Sequence, residues 1–244
     1  MVAVAHGSRD PRAAATVAAL LGAVRARRPD MPVHASFLDH APPAPDRVLD
    51  GLAGDGVDET VVLPLLLTAA YHSRTDIPGV LNRVQGRHPR LVLRTAGTLG
   101  PHPLLLDALE RRLAEAGVAP GDPDTAVVLA SAGSSDASAN AVIARLARRW
   151  RARGWRDVVP AYATAARPAP AEAVRSLLAA GAPRVAVASY ILAPGLFADK
   201  VSRESLAAGA AAVSPALGAA PEVADLVVLR YAEALEASRA ATAV

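Results

Sequence analysis

The feature that most constrains this chain is that it repeats itself. VAVAHGSRDP at Val2–Pro11 matches VVLASAGSSDA at Val127–Ala137, and FLDHAPPAP at Phe37–Pro45 matches YATAARPAP at Tyr162–Pro170. PLLLTAAYH at Pro64–His72 matches SYILAPGLF at Ser189–Phe197, and LGPHP at Leu99–Pro103 matches LGAAP at Leu217–Pro221. Three aligned positions, 6 with 132, 39 with 164 and 72 with 197, lie 126, 125 and 125 residues apart. A repeat of that length is a folding unit rather than a motif. The 244 residues are therefore expected to build two lobes of like topology, not one long domain.

Within each copy, short apolar runs alternate with amphipathic stretches. Val2–Ala5, Val33–Leu38, Glu59–Leu67 and Leu91–Thr95 read as strands, with helices at Ala13–Arg28, Asp46–Gly54, Thr75–Arg87 and Pro103–Ala116. The pattern restarts with strands at Thr125–Ser131, Val158–Tyr162, Arg184–Leu192 and Ala211–Val213. Helices are expected at Ala137–Arg153, Ala171–Ala180, Asp199–Ala208 and Glu222–Glu236. The strands are Val- and Leu-rich without strict alternation, as in parallel sheets buried on both faces. The turn-rich run Gly117–Asp124 marks the break. The expected division is a lobe over 1–117, a linker over 118–124 and a diverged second lobe over 125–244. The fold class is α/β, each lobe a small parallel sheet flanked by helices, with a cleft between the lobes.

Composition narrows the chemistry. There are no cysteines, which excludes disulfide frameworks, thiolate nucleophiles and Cys-type zinc or iron–sulfur sites. Any metal must be held by His, Asp or Glu. A net charge of +3 and 3% aromatic residues offer neither a basic arm nor a stacking platform, so nucleic acid is not an expected partner. No apolar run approaches the roughly 18 residues of a membrane span, and a strand-like opening at Val2 argues against a secretory signal. The chain is expected to be cytoplasmic. GxGxxG and Walker phosphate loops are missing, and so is a GxSxG nucleophile elbow.

The repeat supplies an internal control for the remaining polar residues. His6 aligns with Ala132, Asp39 with Thr164 and His72 with Phe197. Each first-copy residue stands at or just beyond the end of an expected strand, where open parallel sheets bind ligands. Two imidazoles and a carboxylate suit a divalent transition metal and leave coordination positions open. Gly7 permits close backbone approach and Ser8 is placed to cap the following helix. His40, beside Asp39, is a candidate to orient it. His102, between two prolines, reads as structural, and His34 and His88 as surface residues.

The segments AHGSRDP, FLD, PLLLTAAYHSRTDIP at Pro64–Pro78 and LGPHP together resemble the class II chelatases of tetrapyrrole synthesis, the sirohydrochlorin cobalto- and ferrochelatases, in their long, duplicated form. The resemblance implies that His6, His72 and Asp39 are both the catalytic residues and the metal site. Family members often have Glu at the last of these positions, so Asp39 is a departure. It implies insertion of a divalent metal, Fe2+ first and Co2+ close behind with Ni2+ as a third option, into sirohydrochlorin for siroheme or cobalamin synthesis. No cofactor beyond that ion is expected. A flat polycarboxylate substrate points to Ser8, Arg9, Arg74, Lys200 and Arg203 as its binding residues, with Phe197 as an apolar wall. The expected partners are the tetrapyrrole and the metal, and the expected state is a monomer. A non-enzymatic metal or tetrapyrrole carrier is the alternative. A histidine phosphatase fits poorly, because Ala5 rather than Arg precedes His6 and no His follows His102.

Overall fold

Val2–Ala5 forms β1, and all four of its residues are buried. In the computed structural model, which describes residues 1–68 and 75–242 with side chains to residue 237, the chain then alternates regularly. It runs through α1 (Pro11–Arg27), β2 (His34–Phe37), α2 (Pro45–Gly54), β3 (Glu59–Pro64), α3 (Ile77–Arg87) and β4 (Val92–Thr95). α4 (Pro103–Glu115) follows, and then β5 (Thr125–Ser131), α5 (Ala137–Arg151), β6 (Asp157–Tyr162) and α6 (Pro170–Ala179). β7 (Arg184–Tyr190), α7 (Leu196–Ala207), β8 (Ala212–Val213) and α8 (Pro221–Thr242) complete it.

The first sheet is wholly parallel, in the order β2-β1-β3-β4. The chain steps from β1 out to β2 and returns to β3 on the other side of β1. At such a switch point the loops leaving the two central strands diverge at the carboxyl edge and leave room for a ligand. Val2, Val4 and Val62 pack with Leu49, Ile77, Val84 and Leu91 beneath α2 and α3. The strand β3 ends at Pro64, three residues short of the expectation, with Leu65 N–H still donating to Val4 O at 2.8 Å. The second sheet repeats the order as β6-β5-β7-β8, again parallel. Its core joins Ala126, Val128, Val185 and Val187 to Val174, Leu177 and Val201.

The compact units are Met1–Gly100 with Ala219–Val244, and Pro101–Gly218. They part from the sequence-based boundary at 118–124 by one helix each. In the first unit α8 packs against α1, β3 and β4. It buries Val223, Ala224, Leu226 and Val227 completely, at about 1.5–3 kcal/mol for each large side chain. Arg27 at the end of α1 donates to the Asp225 carboxylate and, at 3.2 Å, to the Pro221 carbonyl. In the second unit α4 packs against β7. Trp150 Nε1 donates to Glu110 at 2.9 Å and Arg153 Nη1 pairs with Asp107 at 2.6 Å, which anchors α4 to α5. Trp155 meets the Trp150 ring edge-to-face at 5.8 Å. An apolar helix face states only that it must be buried, so the sequence could not say against which of two similar sheets.

Candidate functional site

The loops after β1, β2 and β3 leave one edge of the first sheet because all its strands are parallel. Leu38 N–H donates to Ala5 O at 3.0 Å, and Asp39 N–H donates to His6 O at 2.9 Å. The β1–β2 ladder therefore continues past both strands and holds the His6 and Asp39 peptides in register. Both side chains are exposed. His6 Nδ1 lies 3.2 Å from Gly7 O.

Gly7 makes this approach possible. Its φ is +94°, and a Cβ there would lie 1.7 Å from Asp39 O. The second copy does the same without the histidine. Gly133 has φ +86°, its Cβ would come 2.1 Å from Thr164 O, and Thr164 N–H donates to Ala132 O at 2.9 Å. Left-handed backbone at His40 (φ 62°) recurs at Ala165 (φ 58°). The turn is thus scaffold, common to both copies, and the imidazole is what the first copy adds to it.

The helix that follows is capped by Asp10, not by Ser8 as the sequence reading had it. Asp10 Oδ1 accepts from Arg12 N–H at 2.9 Å, and its carboxylate also pairs with the Arg12 guanidinium at 2.5 Å. These bonds hold Asp10 below the usual carboxylate range. Ser8 Oγ instead accepts from Asp10 N–H at 3.1 Å. In the second copy Asp136 caps α5 at 2.8 Å and Ser134 Oγ accepts from Asp136 N–H at 3.0 Å. Asp10 is the cap because the backbone path places it, and not Ser8, at the Ncap position, two residues before the Arg12 amide.

Asp39 has a partner close at hand. Its Oδ1 accepts from His40 N–H at 2.7 Å and lies 3.3 Å from His40 Nδ1. Arg9 is exposed in the loop after β1. His72 and Arg74 fall in the connection between β3 and α3 and lie outside the described residues. Among the described residues no three His, Asp or Glu side chains are grouped to hold a metal. Phe197, Lys200 and Arg203 lie on α7 of the second unit, all exposed. Phe197 is 54% and its neighbour Leu196 82% exposed.

The other histidines are structural. His102 caps α4, its Nδ1 accepting from Leu104 N–H at 3.2 Å. His88 is not a free surface residue: its Nε2 lies 2.9 Å from Asp50 Oδ1, and Arg87 binds the same carboxylate at 2.9 Å, joining α3 to α2. His34 is half-buried in β2. Burial, reinforced by the N-terminal ammonium and Arg25, lowers its pKa.

The sequence reading passed over two matching pairs of residues. Arg112 and Glu115 follow Pro103 by nine and twelve positions, and Arg230 and Glu233 follow Pro221 by the same intervals. Extending the LGPHP/LGAAP match into the helices would have found them. Arg112 pairs with Glu115 at 2.6 Å and Arg230 with Glu233 at 2.8 Å. Each arginine also donates to a loop carbonyl of its own unit, Leu217 O and Leu99 O respectively.

Two like parallel sheets, with His6 and Asp39 beyond the strands of the first where the second has Ala132 and Thr164, define a duplicated α/β protein with a candidate site in its first copy. The chain belongs to the CbiX family, whose model matches residues 1–116 and again residues 126–234. A sirohydrochlorin cobaltochelatase of Priestia megaterium is 27% identical over 172 residues, 69% of this chain. The match covers 56% of that relative, little more than half its length. A sirohydrochlorin ferrochelatase of Bacillus subtilis (strain 168) is 27% identical over 202 residues, 82% of this chain and 77% of the relative. Among solved structures, SirB from Bacillus subtilis with Fe3+ superposes with a TM-score of 0.86 at 25% identity, over 98% of this chain and 96% of that one. CbiX, the terminal enzyme for biosynthesis of siroheme in denitrifying bacteria, shares the fold at a TM-score of 0.69 and 24% identity, over 96% and 98% of the two chains. Among the described residues no helix is long and apolar enough to cross a membrane.

Proposed function

We propose that this protein is a sirohydrochlorin chelatase, inserting a divalent metal ion into the macrocycle on the way to siroheme or cobalamin. The observation that carries the reading is His6. It stands exposed at the carboxyl end of β1, with its peptide bonded to that of Asp39, where the second copy has Ala132 and Thr164. Family membership over both copies and named chelatase relatives support the same reading.

Insertion exchanges two pyrrole N–H protons for one M2+, so the site must hold a partly dehydrated ion and accept protons. His6 and His72 are assigned to these tasks, as ligand or base, since neutral imidazole serves both. Asp39 supplies a carboxylate, oriented by His40, that offsets part of the ion's charge. Both imidazoles must be deprotonated to bind metal, so loading weakens in acid. Arg9, Arg74, Lys200 and Arg203 are the cations assigned to the macrocycle's carboxylates, with Ser8 as a hydroxyl donor and Phe197 as an apolar ring contact. Fe2+ is the favoured ion and Co2+ the next. The reading takes the protein to be cytoplasmic and monomeric.

The test is anaerobic absorbance spectroscopy of sirohydrochlorin with Fe2+ or Co2+, comparing wild type, His6→Ala and His72→Ala. Metal-dependent conversion above the uncatalysed rate, lost in both variants, is expected. Tight macrocycle binding with no acceleration by either metal would overturn the enzyme reading and leave a carrier.

A further inference from the structure

We propose that Ala14 is a specificity-determining residue of the first unit: it leaves the Ser8 N–H open to a carboxylate of the macrocycle, where the second copy closes the same turn with an asparagine. The identity of the ligand rests on the chelatase reading; the contrast between the two turns stands apart from it.

The two turns are built alike. Gly7 and Gly133 take left-handed backbone, Asp10 and Asp136 cap the helices that follow, and the Ser8 and Ser134 hydroxyls each accept from the cap residue's N–H. They differ four residues beyond the cap, where α5 has Asn140 and α1 has Ala14. Asn140 Oδ1 accepts from Ser134 N–H at 3.1 Å, and Asn140 Nδ2 donates to Ser134 O at 2.7 Å. One carboxamide thus closes both backbone polar groups of Ser134. Tyr162 OH donates to Asn140 O at 3.0 Å and ties the start of α5 to β6. The counterpart of Tyr162 is Phe37, and both rings are 6% exposed. The first copy therefore keeps the packing and has neither polar group.

Ser8 stands two residues before the cap, so its N–H is not the amide that Asp10 satisfies. Among the described residues it finds no acceptor. The closed form is one substitution away in this fold, as Asn140 demonstrates. It occurs in the copy that has Ala132, and the open form in the copy that has His6. A backbone donor kept for a ligand cannot also stabilise the fold, which is the trade between stability and function expected of a binding turn. Asn140 also shows what this N–H takes as a partner, an oxygen on a planar carbon. A carboxylate presents the same oxygen with a charge, and so makes the stronger bond.

Ala14→Asn installs the closure. Its melting temperature rises by about 2–4 °C. Exchange of the Ser8 amide, read by NMR, slows about tenfold. Its dissociation constant for metal-free sirohydrochlorin rises about tenfold, the equivalent of one hydrogen bond. Ala14→Leu is similar in size and has no polar atoms, and it keeps most of the affinity. Asn140→Ala speeds exchange at Ser134, lowers the melting temperature and leaves macrocycle affinity at the wild-type value. In the wild type, saturating sirohydrochlorin slows exchange at Ser8 and not at Ser134. An Ala14→Asn protein that binds at wild-type strength would overturn the proposal. So would an equal loss of affinity in Ala14→Leu, since bulk alone would then account for it. A wild-type protein that binds no sirohydrochlorin would overturn the chelatase reading and this ligand together, whereas binding that leaves Ser8 exchange unchanged would overturn this ligand alone.

Discussion

Gly7→Ala is the substitution with the most closely worked consequence. The residue sits at φ +94°, which costs an L-residue about 1–2 kcal/mol. The new Cβ would lie 1.7 Å from Asp39 O, and real contacts do not fall below 3.0 Å. The Asp39 peptide must therefore retreat by about 1.3 Å. That is enough to break the 2.9 Å bond from Asp39 N–H to His6 O, worth about 0.5–1.5 kcal/mol. The sum is about 1.5–3.5 kcal/mol, or a fall of roughly 3–14 °C in melting temperature for a chain of this size. Gly133→Ala is the matched control, with φ +86° and a 2.1 Å approach to Thr164 O. Calorimetry is expected to show similar destabilisation in the two variants. Co2+ titration is expected to show a loss in Gly7→Ala alone, because only its turn presents His6 and Asp39. A Gly7→Ala protein as stable as wild type would refute the steric reasoning. Equal loss of metal binding in both variants would refute the confinement of the site to the first copy.

Further outcomes follow from other parts of the molecule. Leu226→Ala empties a fully buried position of α8 and should lower unfolding free energy by about 2–5 kcal/mol; urea denaturation with hydrogen exchange should localise the loss to residues 1–100. Burial pushes the Asp50 carboxyl up, but hydrogen bonds from Arg87 and His88 outweigh it and its pKa lies below the ordinary value. Its stabilisation is therefore complete above the unfolded pKa of about 4 and lost as pH falls through the folded one, so Asp50→Asn should flatten the acid limb of a stability profile below about pH 4. His34 has a lowered pKa, so the unfolded chain takes up its proton first. Stability should decline as pH drops below about 6.5, and His34→Gln should reduce that decline in melting curves taken across the range.

Most of the architecture was legible because both its signals are local. Unbroken apolar runs such as Val2–Ala5 and Thr125–Ser131 mark strands buried on two faces, and the polar, turn-forming segments between them mark the crossings. Duplication sharpened the site further. Gly7, Ser8 and Asp10 recur in the second copy as Gly133, Ser134 and Asp136, with the same turn and the same cap. His6 and Asp39 do not recur, and that difference marks them as candidates for chemistry on a shared scaffold. The misassigned cap had a plain cause: Ser8 and Asp10 both have the chemistry of a cap, and only the backbone path shows which of them reaches the first free amide. His88 looked like a surface residue because its partner, Asp50, is 38 positions away on another helix.

By itself, then, the sequence determined the alternation of strand and helix, the duplication, the glycine turn after β1 and the strand ends beside which His6 and Asp39 stand. These depend on residue type and spacing along the chain. Tertiary structure alone decided that α4 completes the second unit and α8 the first, and that Arg112 and Arg230 donate to Leu217 and Leu99. Each of those choices is a competition between partners of nearly equal chemistry, two similar sheets or two similar carbonyls. Such a competition is settled by the geometry of packing, not by the preference of any one residue.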